Sequence, residues 1–218
     1  MSLRSAAGAA AGYAALAALV AAGQLTSIDR WAVDHAMPAA HLTGSKPTLV
    51  GALVPLWGAK WDSVGQAVTN VVTLPAAFLV ATVLVAAACA QLRDRAGVAL
   101  AAAFVAGNAI EELTKSTLTR PALYHHGIHL AGFDGSYPSG HTLRTVLLAA
   151  AIGAAWPRAR RWVAIWAVCS VAMIELGGLH VPSDIAGGLL LAGGLAATAS
   201  AWAPLRPSAA SRPSSRAR

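Results

Sequence analysis

Six long apolar segments restrict the fold of this chain more than any other feature. An α-helix needs about 20 consecutive apolar residues to cross the hydrocarbon core of a bilayer, and most of these segments are near that length. They predict membrane-spanning helices, although the fourth is short for a span and contains Arg144. The segments cover residues 6–22, 68–90, 96–118, 142–156, 162–179 and 182–203.

Composition supports the same interpretation, because 56% of the residues are hydrophobic, only 11% are charged, and the mean hydropathy is +0.58. A soluble domain this apolar is improbable. We predict an all-α, six-transmembrane-helix integral membrane bundle over residues 1–203. Residues 49–57 are too short to cross and predict an interfacial or re-entrant helix after the first span. Residues 204–218 are rich in Ser, Pro and Arg and predict a disordered, basic cytoplasmic tail.

The distribution of basic residues predicts the orientation of the bundle. Short cytoplasmic loops retain Lys and Arg, so the side with more of them is expected inside the cell. If the N-terminus is cytoplasmic, ten of the 16 Lys and Arg residues lie inside and six lie outside or just within the membrane. We therefore predict a multi-pass plasma-membrane protein with both termini in the cytoplasm.

The first apolar segment and the net positive charge each have two possible explanations. The first apolar segment resembles a cleavable signal peptide, but a retained helix is favoured because cleavage would leave an odd number of spans. The net charge of +7 could suggest a nucleic-acid partner. Topology and anionic membrane lipids explain it more simply, and no basic face with interleaved aromatic residues accompanies it. We predict membrane lipids, and no nucleic acid, as partners.

Two polar motifs lie beside these apolar segments, both on the predicted extracytoplasmic side. The first is YPSGHT at residues 137–142, where a turn opens a helix. Free backbone N–H groups and the positive end of the helix dipole favour an anion such as phosphate there. In the second motif, His180 and Asp184 lie four residues apart, so the carboxylate can orient the imidazole and stabilise its charged form. Together the motifs predict phosphoryl transfer inside a membrane protein.

Over residues 115–191 the chain resembles the type 2 phosphatidic acid phosphatase (PAP2) superfamily. The resemblance depends on His141, His180 and Asp184, and it implies a PAP2-like membrane bundle. It also implies that His180 attacks phosphorus while His141 protonates the departing oxygen. Water would then resolve a phosphohistidine intermediate, and Asp184 would orient His180.

The resemblance also implies a phosphate-binding set. Ser139 and the Gly140 N–H would cradle phosphate oxygens, with Gly140 allowing close approach of the backbone. Lys115 and Arg120 are the predicted phosphate clamp, because a cation at the membrane edge costs free energy unless it is used. No cofactor is implied. The histidines lack zinc spacing and the two cysteines have no partner motif, so no metal site is predicted.

The chain departs from the family at two arginine positions. The family's first motif places its Arg-Pro pair so that Ala122 occupies the arginine position, and the arginine of its third motif is replaced by Ile174. Arg144 is a candidate substitute, because it lies on the helical face of His141. It is expected either to contact phosphate or to pair with Glu175.

Several other residues have plainer predicted roles. Glu111 and Glu112 lie four and three residues before Lys115, and either is expected to pair with it. His125, His126 and His129 are expected to be capping or interfacial residues, with substrate head-group binding as the alternative.

The sequence as a whole predicts a metal-independent phosphatase acting on a lipid phosphate or diphosphate at the outer leaflet. Candidate substrates are polyprenyl phosphates or diphosphates, phosphatidic acid and phosphatidylglycerophosphate. A lipid phosphotransferase with an alcohol acceptor and a non-catalytic lipid-phosphate binder are the alternatives.

Overall fold

The computed structural model describes residues 3–37, 68–92 and 95–202, and these residues are mostly helical. The predicted interfacial helix at residues 49–57 and the predicted tail at residues 204–218 lie outside the described residues. A two-stranded antiparallel hairpin, β1 Tyr124–His125 and β2 Ile128–His129, follows the fourth of the helices named here. These helices are α1 Leu3–Ala21, α2 Thr26–His35, α3 Phe78–Leu92, α4 Arg95–Thr117, α5 Gly140–Ala155, α6 Arg160–Leu176 and α7 Pro182–Trp202.

Three of these helices, α1, α4 and α7, are long and apolar enough to cross a membrane. A fourth span is available if Val68–Ala76 and α3 count as one broken helix, since they meet at a bend of 48°. The 3-10 turn Leu74–Ala76, with Pro75 near its start, lies at that bend. α5 is apolar but only 16 residues long. Helices of this length and composition indicate a membrane-embedded protein, whereas the count of six spans stays a prediction.

The main apolar core is built around α5, which packs against α3, α6 and α7, while α7 also contacts α1 and α4. Leu143, Leu147 and Leu148 of α5 are buried at this centre. A Cβ atom at Gly107 of α4 would lie 3.1 Å from the Leu143 side chain, so the backbones of α4 and α5 approach closely. Small residues commonly allow such close packing between membrane helices.

A tight reversal between α6 and α7 places His180. Gly178 has φ of +70°, a conformation that residues with a Cβ rarely adopt. Beyond it, the backbone N–H groups of Leu179 and His180 both donate to the Ile174 carbonyl, at 3.0 and 3.3 Å. His180 is therefore fixed between the end of one helix and the start of the next.

Candidate active site

Two glycines of α7 let this helix pack directly on the turn before α5. A Cβ atom at Gly187 would lie 2.5 Å from the Tyr137 ring, and one at Gly188 would lie 2.6 Å from the Ser139 carbonyl oxygen. The Ser139 N–H donates to the Asp184 carbonyl at 2.9 Å. The N-terminal ends of α5 and α7 therefore meet, and both contribute positive helix-dipole ends to one place.

The two predicted catalytic histidines lie side by side at this meeting point. His141 is in the first turn of α5 and is partly buried, whereas His180 is 3% exposed. Their ring centroids are 5.9 Å apart. One phosphoryl group is small enough to contact both rings at that separation.

Asp184 contacts His180 and is fully buried. Its Oδ2 is 3.2 Å from His180 Nδ1, and its Oδ1 accepts a hydrogen bond from Arg120 Nη1 at 2.9 Å. A proton held on Nδ1 by this carboxylate places the lone pair of the imidazole on Nε2. Asp184 also lies in the first turn of α7, where the positive end of the helix dipole attracts negative charge. The predicted spacing of these two residues thus produces an oriented imidazole.

Asp29 in the first turn of α2 is a second buried carboxylate, which the sequence analysis did not select. Its Oδ2 accepts hydrogen bonds from Arg120 Nη2 at 2.5 Å and from Ser183 Oγ at 2.7 Å, and its Oδ1 accepts from the Ser183 N–H at 3.1 Å. Asp29 thereby joins α2 to the segment after α4 and to the start of α7. The signal in the sequence was weak, because Asp29 is one of two acids that closely follow the first apolar segment, the other being Asp34.

Arg120 consequently lies between two buried carboxylates, Asp29 and Asp184, and its own side chain is 3% exposed. The contacts of both its terminal nitrogens are with protein, while its buried Nε has no hydrogen-bond partner among the described residues. These contacts suit a residue that positions Asp184. Its predicted role in binding phosphate stays a prediction.

A second charged cluster lies beside the first and is formed by Lys115, Glu111 and Arg144. Glu111 accepts a short hydrogen bond from Lys115 Nζ on one carboxylate oxygen and a 2.8 Å bond from Arg144 Nη1 on the other. Arg144 also donates to the Asn108 side chain and to the Ala76 carbonyl, both at 2.9 Å. The expected pairing of Lys115 with Glu111 is therefore present.

The suggested pairing of Arg144 with Glu175 is wrong. The Arg144 side chain extends from α5 towards α4 and the bend before α3, where Glu111 and Asn108 lie. Ile174, at the family's third-motif arginine position, is fully buried in a small apolar cluster with Leu179 and Ile185.

Ser139 caps α5, because its Oγ accepts a hydrogen bond from the Thr142 N–H at 3.2 Å. At Gly140, an added Cβ atom would overlap the Glu111 carboxylate and would lie 2.6 Å from Arg144 Nη2. Gly140 therefore permits the close approach of the charged cluster to the start of α5. Phosphate binding by Ser139 and Gly140 remains untested by these contacts.

The hairpin histidines pair with acids near the site. His125 Nδ1 is 2.6 Å from Asp34 Oδ1, and His129 Nε2 is 2.9 Å from Asp134 Oδ1.

Burial raises the pKa of the Tyr137 phenol well above its ordinary value, so this hydroxyl stays protonated and donates to the Tyr13 carbonyl at 3.4 Å. Within residues 3–37, 68–92 and 95–202, no group of three His, Cys, Asp or Glu residues is arranged to hold a metal ion.

A family model of the PAP2 superfamily matches residues 95–207, just over half of the chain. The chain belongs to the PAP2 superfamily. The matched range contains both histidines and the whole Lys115, Glu111 and Arg144 cluster, whereas Asp29 lies outside it. No curated protein and no solved structure matches the chain. Membership of the PAP2 superfamily implies phosphatase-type activity on phosphate esters.

Proposed function

We propose that this protein is a metal-independent membrane phosphatase that hydrolyses a lipid phosphate or diphosphate through a phosphohistidine on His180. The observation that carries the proposal is the pairing of His180 with buried Asp184 next to a second histidine. The ring centroids of His180 and His141 are 5.9 Å apart. A purely structural histidine has no need of both a carboxylate partner and a neighbouring imidazole. Family membership gives the reaction class, and this geometry supports the proposed roles of the three residues.

The reaction has two steps. His180 Nε2 attacks phosphorus and forms the P–N bond while the bond to the departing oxygen breaks, and His141 transfers its proton to that oxygen. Neutral His141 then accepts a proton from water, whose oxygen attacks phosphorus. The P–N bond breaks, its electron pair returns to His180 Nε2, and phosphate is released. Asp184 stabilises the positive charge that His180 carries in the first step. The helix ends at Gly140 and Pro182 favour the negative charge on the phosphoryl oxygens.

A lipid substrate is supported by an apolar cleft between three helices of the bundle. The cleft has a volume of about 210 Å³ and lies between α1, α4 and α7. Tyr13 lines it and stacks on Tyr137 with ring centroids 5.8 Å apart, immediately before the turn that carries His141. An acyl or prenyl tail in this cleft would place its phosphate near the histidines. The distribution of Lys and Arg supports the orientation that we propose for the protein. In this orientation the reacting centre faces the extracytoplasmic leaflet of the plasma membrane, and both termini are cytoplasmic.

Phosphate release by the purified full-length protein in detergent tests this function. The substrates are polyprenyl phosphate, polyprenyl diphosphate, phosphatidic acid and phosphatidylglycerophosphate, each with and without an alcohol acceptor and with EDTA throughout. Free phosphate from at least one lipid, abolished in His180→Ala, is the expected result. A transferred phosphoryl group would indicate a phosphotransferase, and silence on all four lipids would contradict the proposal. Recovery of turnover only after added magnesium or zinc would contradict the metal-free mechanism.

A further inference from the structure

Glu111 is the acid of the charged cluster that it forms with Lys115 and Arg144, and the proposed reaction gives it no role. Its side chain is about 6% exposed and lies between two cations, with one carboxylate oxygen on Lys115 and the other on Arg144. A carboxylate that takes both cations in this way fills the place of a bidentate anion.

The position of Glu111 relates it to the phosphate cradle. The carboxylate lies against the Cα of Gly140, the residue before His141, so closely that no side chain fits at Gly140. Lys115 and Arg144 are therefore held by an internal anion at the start of α5. This is the helix end where the substrate's phosphate is expected.

We infer that Glu111 is a specificity-determining residue: its carboxylate competes with the substrate for Lys115 and Arg144, and it thereby selects terminal phosphates over phosphodiesters. The inference rests on the proposed function. A terminal phosphate carries nearly two negative charges at neutral pH, whereas a phosphodiester carries one. Coulomb attraction scales with charge, so a dianion displaces Glu111 from two cations far better than a monoanion does.

Selection of this kind has a physical use in a membrane. The bulk phospholipids around the protein carry phosphodiester groups at very high local concentration, and two unpaired cations at the membrane edge would bind them. An internal carboxylate holds Lys115 and Arg144 in most molecules. The apparent affinity for any anion is then the intrinsic affinity multiplied by the fraction of molecules in which Glu111 has released these two cations. The same factor applies to both classes of anion, so weakly bound phosphodiesters fall below the affinity needed to occupy the site, while the more strongly attracted dianionic substrate still occupies it.

The structure also offers Glu111 a place to move. A cavity of about 390 Å³ adjoins the cluster and is bordered by Asn108, Glu111 and Arg144. The Asn108 side chain, which accepts a hydrogen bond from Arg144, is a polar neighbour there. A displaced carboxylate therefore need not enter an apolar environment.

The test compares Glu111→Gln with the wild type, using inorganic phosphate and dimethyl phosphate as soluble probes of the dianionic and monoanionic classes. The inhibition constant of each probe is measured against lipid phosphate hydrolysis. We expect phosphate to inhibit Glu111→Gln at about tenfold lower concentration than wild type. We also expect dimethyl phosphate to inhibit the variant but not the wild type at the same concentration.

Glu112→Gln is the matched control, because it removes the same charge from the adjacent residue of α4. Glu112 borders the same cavity, but it is exposed and makes no ion pair with a described residue. Both inhibition constants should stay at wild-type values in this variant. Equal tightening in the two variants would show a general effect of charge and would overturn a specific role for Glu111.

Two further readouts keep the inference testable if Glu111→Gln turns over slowly or folds poorly. Phosphate-induced stabilisation against heat, measured in detergent, reports binding without turnover, and it should be larger in Glu111→Gln. Glu111→Asp keeps the charge but is too short to reach both cations, and it should show the same change to a smaller degree. Weaker phosphate binding in both variants would mean that Glu111 positions the cations for substrate, and would overturn the inference.

The failure of this inference differs from the failure of the proposed function. A wild type that hydrolyses lipid phosphate, with unchanged probe binding in the Glu111 variants, refutes competition by Glu111 alone. A wild type that neither hydrolyses lipid phosphates nor is stabilised by phosphate refutes both.

Discussion

At the scale of single residues, the site divides its charges into two separate groups. Asp29 and Asp184 enclose Arg120, and Lys115 and Arg144 enclose Glu111. The first group contacts the proposed nucleophile, because Asp184 Oδ2 lies 3.2 Å from His180 Nδ1. The second lies at the helix end where the phosphate is expected. This separation predicts different kinetic consequences for residues in and around the site.

The roles of the two histidines predict an asymmetry. His180→Ala should abolish turnover of every substrate, because it removes the proposed nucleophile. His141→Ala should lose much less activity on an aryl phosphate than on a lipid phosphate, since an acidic leaving group needs little protonation. Steady-state rates of the two variants on the two substrates decide the assignment. Equal losses on both substrates for His141→Ala would be inconsistent with its role as the proton donor.

Asp29 predicts a positioning effect. Asp29→Asn leaves Arg120 with one full carboxylate partner instead of two, so Arg120 is free to draw Asp184 away from His180. We expect kcat to fall about tenfold or more, equivalent to ~1.4 kcal/mol in activation free energy, with little change in KM.

Asp34→Asn is the control for this prediction, because Asp34 lies on the same helix and pairs with His125 rather than with Arg120. The melting temperature of each variant is measured alongside its kinetics. A wild-type kcat in Asp29→Asn would remove Asp29 from the active-site account.

At the scale of elements, α7 determines the geometry because it lies directly on the turn before α5. Any side chain at Gly188 would meet the Ser139 carbonyl oxygen, a backbone atom that cannot rotate away. Gly188→Ala should therefore separate the start of α7 from His141, at a cost of roughly 1 to 3 kcal/mol in stability. Turnover should fall with it.

Gly193→Ala serves as the reference for Gly188→Ala, since a Cβ atom there has nothing within 4 Å among the described residues. Both changes add one methyl group to α7. Thermal unfolding in detergent and lipid phosphatase assays compare them. Similar stability and activity in the two variants would contradict the close packing of α7 on the turn.

Local spacing explains which contacts the sequence predicted. His180 and Asp184, and likewise Glu111 and Lys115, are four residues apart on the chain, so helical geometry alone brings each pair together. Asp29 meets Arg120 and Ser183 across 91 and 154 residues of sequence. The predicted pairing of Arg144 with Glu175 was wrong because it also depends on tertiary packing. Arg144 pairs with Glu111 of α4, and the spacing of residues along the chain does not show which helix this side of α5 faces.

At the scale of the whole molecule, three helix ends converge on the candidate active site. The C-terminal end of α4 contributes Lys115, and the N-terminal ends of α5 and α7 contribute His141 and Asp184. The same bundle contains apolar helices and an apolar cleft, which suit a substrate with a charged head and an apolar tail. The sequence predicted the apolar helices from composition. The convergence of their ends depends on packing at residues such as Gly187 and Gly188, which a single sequence does not show.

The central claim is covalent catalysis by His180, and trapping the intermediate tests it most directly. Wild type, His180→Ala and His141→Ala are mixed with a lipid phosphate labelled in its phosphoryl group, quenched in alkali within the first turnover, and digested for mass spectrometry. We expect an alkali-stable, acid-labile phosphoryl group on His180 in the wild type and none in His180→Ala. His141→Ala should retain the label for longer, because the water step then lacks its base. Label on another residue, or label that persists in His180→Ala, would contradict the account.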